Sequence, residues 1–214
     1  MSRILDVGLE ELSLLLHKMG ELTFEAVSLS LGSFIEGKSV HRQVRELSDA
    51  VISLSDQVES KTFELIARYQ PVASDLRTIR SYMKISNDFA RYGRYAFDVS
   101  YICERLGGLC DCEDWMQEYI AEMSEKVLGM VRLSIDSLKD HDYSLAKTIS
   151  EPEKQVDQLY LRYIDKIVEL SHITNKCTVS SILVIRYLER IADHATYICE
   201  SVVYLATGEK VSLG

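Results

Sequence analysis

Apolar residues recur at helical spacing along almost the whole chain. Leu12, Leu15, Leu16, Met19, Leu22, Ala26 and Leu29 lie on one stripe of a helix. Glu36-Gly37-Lys38-Ser39 then offers a C-terminal glycine followed by a serine N-cap, a stop and a start. A second helix is predicted from about 39 to 69, with Leu47, Val51, Leu54, Val58 and Leu65 as its apolar stripe. Gln70-Pro71 interrupts it, because proline disfavours helical geometry in the preceding residue but suits a new first turn. A third helix runs from 71 to about 106 and is closed by Gly107-Gly108. A fourth covers 113 to 139, with Met116, Ile120, Met123, Val127, Met130 and Ile135 facing inward. After a turn at 139–142, a fifth helix is expected from about 142 to 172 and a sixth from about 174 to 205, closed by Thr207-Gly208. Pro152 falls inside the fifth and predicts a kink or restart, with Ser150 and Glu153 spaced as a capping box. On the sixth, Ile185, Leu188, Ala192, Ala195, Cys199, Val202 and Ala206 form the seam of a packed bundle.

The order of three long helices occurs twice. A shift of 99 residues places Phe89, Tyr92, Gly93, Ala96 and Val99 over Leu188, Ile191, Ala192, Ala195 and Ile198. A shift of 98 places Gln57-Val58-Glu59 over Gln155-Val156-Asp157. The fold class expected is therefore all-α: two tandem antiparallel three-helix bundles made by internal duplication, residues 1–108 and 109–214.

Composition narrows the function. Ten Gly and two Pro in 214 residues leave room for long helices and argue against a sandwich or barrel. A net charge of −9 and no Lys/Arg run argue against a nucleic-acid partner, which needs a concentrated basic surface. No apolar stretch is long enough to span a bilayer, and the first residues lack a signal peptide's apolar region, so no membrane insertion and a cytoplasmic location are expected. The five cysteines are odd in number and sit in helical patterns, which fits reduced thiols. Cys110-Asp111-Cys112 lacks the second pair that a structural metal site would require and reads as a turn.

Two carboxylate pairs stand at i,i+4: Glu153 with Asp157 on the fifth helix, and Glu189 with Asp193 on the sixth. Each pair shares a helix face, and neighbouring helices would converge all four into an oxygen-ligand site for a hard or borderline cation. Glu200 continues the Glu189 face, and His194 is adjacent. The plainer reading is a solvated face that Arg186 and Arg190 neutralise. Glu169-x-x-His172 has the spacing of a di-iron ligand pair but no counterpart on another helix. No phosphate loop, nucleophile elbow or Cys/His cluster supports catalysis, so the chain reads as a non-enzyme.

Two strings carry a resemblance. Gln70-Pro71-Val72-Ala73-Ser74-Asp75-Leu76-Arg77 and Arg186-Tyr187-Leu188-Glu189-Arg190-Ile191-Ala192-Asp193-His194-Ala195 resemble the two signature segments of the phosphate-uptake regulator family, PhoU. Lys18-Met19-Gly20 and Tyr204-Leu205-Ala206-Thr207-Gly208-Glu209 are also similar to that family. The resemblance implies two tandem three-helix bundles and a cytoplasmic negative regulator of phosphate uptake. It implies contact with phosphate transporter components and a membrane sensor kinase, and homodimers in some members. It also implies a divalent or iron-type metal ion or cluster on (Glu/Asp)-x-x-x-Asp motifs, one set per repeat. The second repeat keeps both motifs, as Glu153, Asp157, Glu189 and Asp193. The first repeat has Ser55, Glu59, Ala90 and Arg94 instead, so it is expected to be metal-free, with Arg94 placed to neutralise Glu59. The competing expectation is a carboxylate bundle with a metal-storage or redox role.

Overall fold

The computed structural model describes residues 4–169 and 175–214. Its regular structure is helical, with no strand among the described residues. The first half comprises α1 (Ile4–Glu36), α2 (His41–Tyr69) and α3 (Ala73–Leu106). The second comprises α4 (Asp114–Lys139), α5 (Tyr143–Lys147), α6 (Ser150–Glu169) and α7 (Asn175–Thr207). Six long helices thus stand as expected, with one short helix, α5, between the fourth and fifth.

Local chemistry ends the helices where expected and starts three of them differently: α2, α6, and α3, which begins at Ala73 behind a Val72 cap and so leaves Pro71 outside the helix. Gln70 adopts a left-handed conformation, φ 45°, and its N–H bonds the Ile66 carbonyl, so Pro71 follows a finished helix. Gly107 closes α3 at φ 83° and ψ 167°, an extended positive-φ conformation that glycine adopts freely, and donates to Cys103 O. Ser39 does not cap α2; the cap is Val40, without a side-chain bond.

The fifth helix is not continuous from 142. Asp142 caps α5 by accepting from the Ser144 and Leu145 N–H groups at 2.9 Å. A tight turn through Thr148 and Ile149 ends α5, each N–H bonding a carbonyl three residues back. The helix α6 restarts at Ser150, which puts Pro152 in a first turn that needs no donor there. Glu153 N–H bonds Ile149 O at 3.0 Å, and its side chain is buried instead of closing a capping box with Ser150.

The apolar stripes form the core. Leu12, Leu16, Met19, Val51, Phe89, Tyr92, Ile120, Val127, Leu188 and Ala195 are fully buried, while Ala206 at the end of its stripe is exposed. Burial of such side chains drives folding at about 1.5–3 kcal/mol each. Some hydroxyls inside the core bond carbonyls of the preceding turn: Thr23 donates to Met19 O and Ser134 to Val131 O, both at 2.8 Å. Their small size lets helices approach closely.

The core runs through both halves without a break. Among helix pairs, α3 and α7, one from each half, pack most extensively, and α1 also packs on α4. A Cβ on Gly20 of α1 would touch both Phe89 of α3 and Ile135 of α4. The residues matched by the 99-residue shift are all buried, so the duplicated faces largely supply this shared core.

The cysteine expectation is corrected. Cys112, before α4, and Cys177, in the first turn of α7, form a disulfide across a sequence separation of 65. Cys103, Cys110 and Cys199 are free. Spacing alone could not reveal this, because the partners meet only once α7 has returned to the loop that precedes α4.

Candidate functional site

The helix α7 lies beside α6 and brings Glu189 and Asp193 to the face that carries Glu153 and Asp157. Glu153 is buried at 8% exposure, Glu189 and Asp193 are partly buried, and Asp157 is exposed at the open side. The four sequence candidates therefore share one acidic seam, graded from buried to open.

Its electrostatics are adverse to charge. Burial raises the Glu153 carboxyl above the usual glutamate range, and the nearby charges of Asp157 and Asp193 add to that rise. Glu189 is raised for the same reasons, burial first and Asp193 next, against the opposing pull of Arg186 and Arg190. Asp193 is raised by burial, opposed by Arg190 and pushed further by Asp157. Arg186 Nη1 lies 2.6 Å from Glu189 Oε1, and Arg190 Nη1 lies 3.4 Å from Asp193 Oδ2. Glu189 Oε2 is buried without a hydrogen-bond partner. Its cation is Arg190, whose Nε stands 4.0 Å away, too far for a hydrogen bond.

The donor set fits a hard cation, since it is oxygen only and carries one orphaned oxygen. The arrangement is not a preformed ion site, because among the described residues no three His, Cys, Asp or Glu side chains are gathered to hold a metal. Arginines occupy Glu189 and Asp193 instead. Glu153 is further approached by the returning tail, where a Cβ on Gly214 would meet its carboxylate oxygen at 2.7 Å.

His194 does not join the seam through its ring. Its Nδ1 lies 2.8 Å from Asp88 Oδ1 on α3, and the ring packs on Tyr95 and Tyr197. Asp88, buried at 7%, was absent from the sequence candidates. The signal was available: an acid one residue before Phe89, inside the buried stripe Ile85–Phe89–Tyr92, demands a partner. His172 lies outside the described residues.

The aligned position in the first half is a different environment. Ser55 Oγ meets Ser86 Oγ at 3.0 Å in a small cleft that also includes Glu59. Arg94 does not pair with Glu59 among the described contacts; its charge acts on Asp98, one turn onward, opposing the rise that burial imposes there. The two halves have thus diverged at the carboxylate positions while sharing one core.

These features define a class: a duplicated all-helical bundle with, among the described residues, an acidic seam at these positions in its second half and not in its first. The PhoU domain family model matches residues 16–103 and 120–202, one match in each half, and the chain belongs to this family. It is similar to the phosphate-specific transport system accessory protein PhoU homolog of Clostridium acetobutylicum, at 30% identity over 99% of this chain and 98% of that one. It is also similar to PhoU homolog 1 of Thermotoga maritima, at 30% identity over 94% of this chain and 89% of that one. The crystal structure of PhoU from Pseudomonas aeruginosa superimposes with a TM-score of 0.88 at 29% identity, covering 95% of this chain and 99% of that one. The regulatory protein PhoU from Streptococcus pneumoniae gives 0.87 at 26% identity, covering 97% and 99%.

Proposed function

We propose that this chain is a cytoplasmic, non-catalytic negative regulator of phosphate uptake that works by protein contact. The observation that carries the reading is the match in both halves to relatives named as accessory proteins of phosphate-specific transport systems. On this reading its partners are phosphate transporter components and a membrane sensor kinase. No described helix is long and apolar enough to cross a membrane, so such contacts would be made from outside the bilayer. Exposed Leu161, Val168, Val179 and Leu183 on α6 and the first half of α7 support self-association as a homodimer. Light scattering that finds a monomer at micromolar concentration removes that part.

The seam of Glu153, Asp157, Glu189 and Asp193 is the proposed cation site of this regulator. A divalent or iron-type ion would offset the mutual repulsion of the acids and occupy the orphaned Glu189 oxygen, taking the place of Arg186 and Arg190. Ser55, Ala90 and Arg94 leave the first half without an equivalent.

Two experiments separate the claims. Deleting the gene in its own organism should raise phosphate uptake under phosphate-replete conditions, and re-expression should lower it again; unchanged uptake refutes the regulatory reading. Calorimetric titration with Mn²⁺, Fe²⁺ and Zn²⁺ should show binding by the wild type and none by the Glu189→Ala/Asp193→Ala variant. Binding that survives both substitutions, or none by the wild type, returns the seam to an ordinary acidic face.

A further inference from the structure

A second cleft carries charge opposite to that of the acidic seam. It is about 290 Å³ in volume, between α3, the last turns of α7 and the tail that follows. Its charged lining is Arg80 and Lys84 from α3, Lys210 from the tail, and Glu200 from α7. Ser81, Ser201 and Tyr204 complete the polar wall.

Three cations converge here, in a chain of net charge −9. Some basic side chains elsewhere pair with acids, as Lys61 does with Glu11, Arg68 with Glu64, Arg132 with Glu21 and Arg186 with Glu189. Among the described residues, Arg80, Lys84 and Lys210 have no carboxylate at ion-pair distance. Aromatic faces position two of them without neutralising them: Arg80 sits over Tyr204 at 5.3 Å and Lys84 over Tyr197 at 5.7 Å. Arg80 Nη1 also bonds the Tyr204 hydroxyl at 3.3 Å, fixing the guanidinium at the rim. Glu200, the one acid, is engaged by the tail: its Oε1 accepts from Leu213 N–H at 3.1 Å.

A second observation points to a ligand. Ser81 is only 2% exposed, lies in the wall of the cleft, and its Oγ has no hydrogen-bond partner. Arg77, one turn earlier on α3 and packed against Gly208, has a buried Nε that is also without a partner. Unpartnered donors beside unpaired cations are the chemistry that recognises an acceptor-rich anion.

We propose that this cleft binds a phosphate group, with Arg80, Lys84 and Lys210 as its charge partners and the Ser81 hydroxyl as a donor. A tetrahedral dianion supplies the acceptors that these groups lack, and guanidinium with ammonium is the usual donor pairing for it. The volume sits near the lower limit for small-ligand pockets, roughly 300 Å³, so it admits free phosphate or a small phosphate ester. The inference is independent of the cation seam and of the regulatory reading, since it rests on groups that neither uses.

The test is calorimetric titration of the intact protein with inorganic phosphate, AMP and ATP, against chloride at matched ionic strength. Saturable binding of at least one phosphate compound is expected, weakening as salt rises. Arg80→Gln/Lys84→Gln should weaken it by about tenfold or more, and Lys210→Gln should weaken it less severely. Lys84→Arg should retain it. Arg80, Lys84 and Lys210 are exposed, so the variants should keep wild-type circular dichroism and melting, which is checked alongside. Tighter binding of AMP or ATP than of phosphate assigns an ester; the reverse assigns the free anion. Absence of binding at millimolar concentrations, an equal response to chloride, or undiminished binding by the folded double variant overturns the proposal.

Discussion

Gly108 is required by crowding. A Cβ there would overlap the Phe34 carbonyl oxygen and press on the backbone of Gly37, and neither can swing aside as a side chain would. The same approach lets Leu109 N–H bond Phe34 O at 3.0 Å. Gly108→Ala should therefore destabilise the fold by about 1–3 kcal/mol, the range for overpacking, as read from urea unfolding. His141 supplies a second single-residue test. Burial lowers its pKa from the ordinary 6.5, against the opposing charge of Asp140, and its Nε2 lies 2.9 Å from the Tyr82 hydroxyl. The folded state thus favours the neutral ring. Its contribution is fully present above the unfolded value, 6.5, and is lost as pH falls through the lower folded value. Thermal melts of wild type and His141→Gln between pH 5 and 7 should show the wild type gaining relative to the variant as pH rises, since the raised acids of the seam act on both alike.

At the scale of elements, most of the fold was legible because the helix period is long and its breakers are few. Glycine and proline at 37, 71, 107 and 208 mark four helix ends directly. The break between α5 and α6 was legible as an event at Pro152 but not in its position. Asp142 and the Thr148–Ile149 turn move the restart upstream, which leaves the proline harmless. The sign of Pro152→Ala follows. A proline well suited to a first turn restricts the unfolded chain, so its loss should destabilise by about 0.5–1 kcal/mol, whereas an interior proline would give a gain of about 3 kcal/mol. The acidic seam was legible as i,i+4 pairs, but the capture of Glu189 by Arg186, three residues away, depends on rotamers that spacing does not specify. If the seam is the cation site proposed above, Arg186→Gln/Arg190→Gln should tighten Mn²⁺ binding by about fivefold, the equivalent of about 1 kcal/mol for a part-exposed ion pair. Unchanged titration would mean that the arginines do not compete.

For the whole molecule, tandem repetition read from sequence does not say whether the repeats have separate cores. Here they share one, because α3 and α7 face each other across the two halves, with Asp88 and His194 bonded between them. The pattern could not announce this: a stripe that packs on its own repeat and a stripe that packs on the other repeat have the same period. The Cys112–Cys177 bridge was likewise invisible, and it closes a loop across a separation of 65 residues. Cys112→Ser should lower the melting temperature of the oxidised protein, by the equivalent of roughly 4 kcal/mol on the loop-entropy scale. The same variant should match the wild type once both are treated with dithiothreitol. The bridge has one more effect, visible only under tension. Pulled from its two ends, the bridged chain pays out everything except the segment between the cysteines, which contains α4, α5 and α6. At about 3.5 Å per residue, roughly 220 Å of contour stays locked behind one covalent bond, and a single-molecule trace should gain that length in one step when a reductant is admitted.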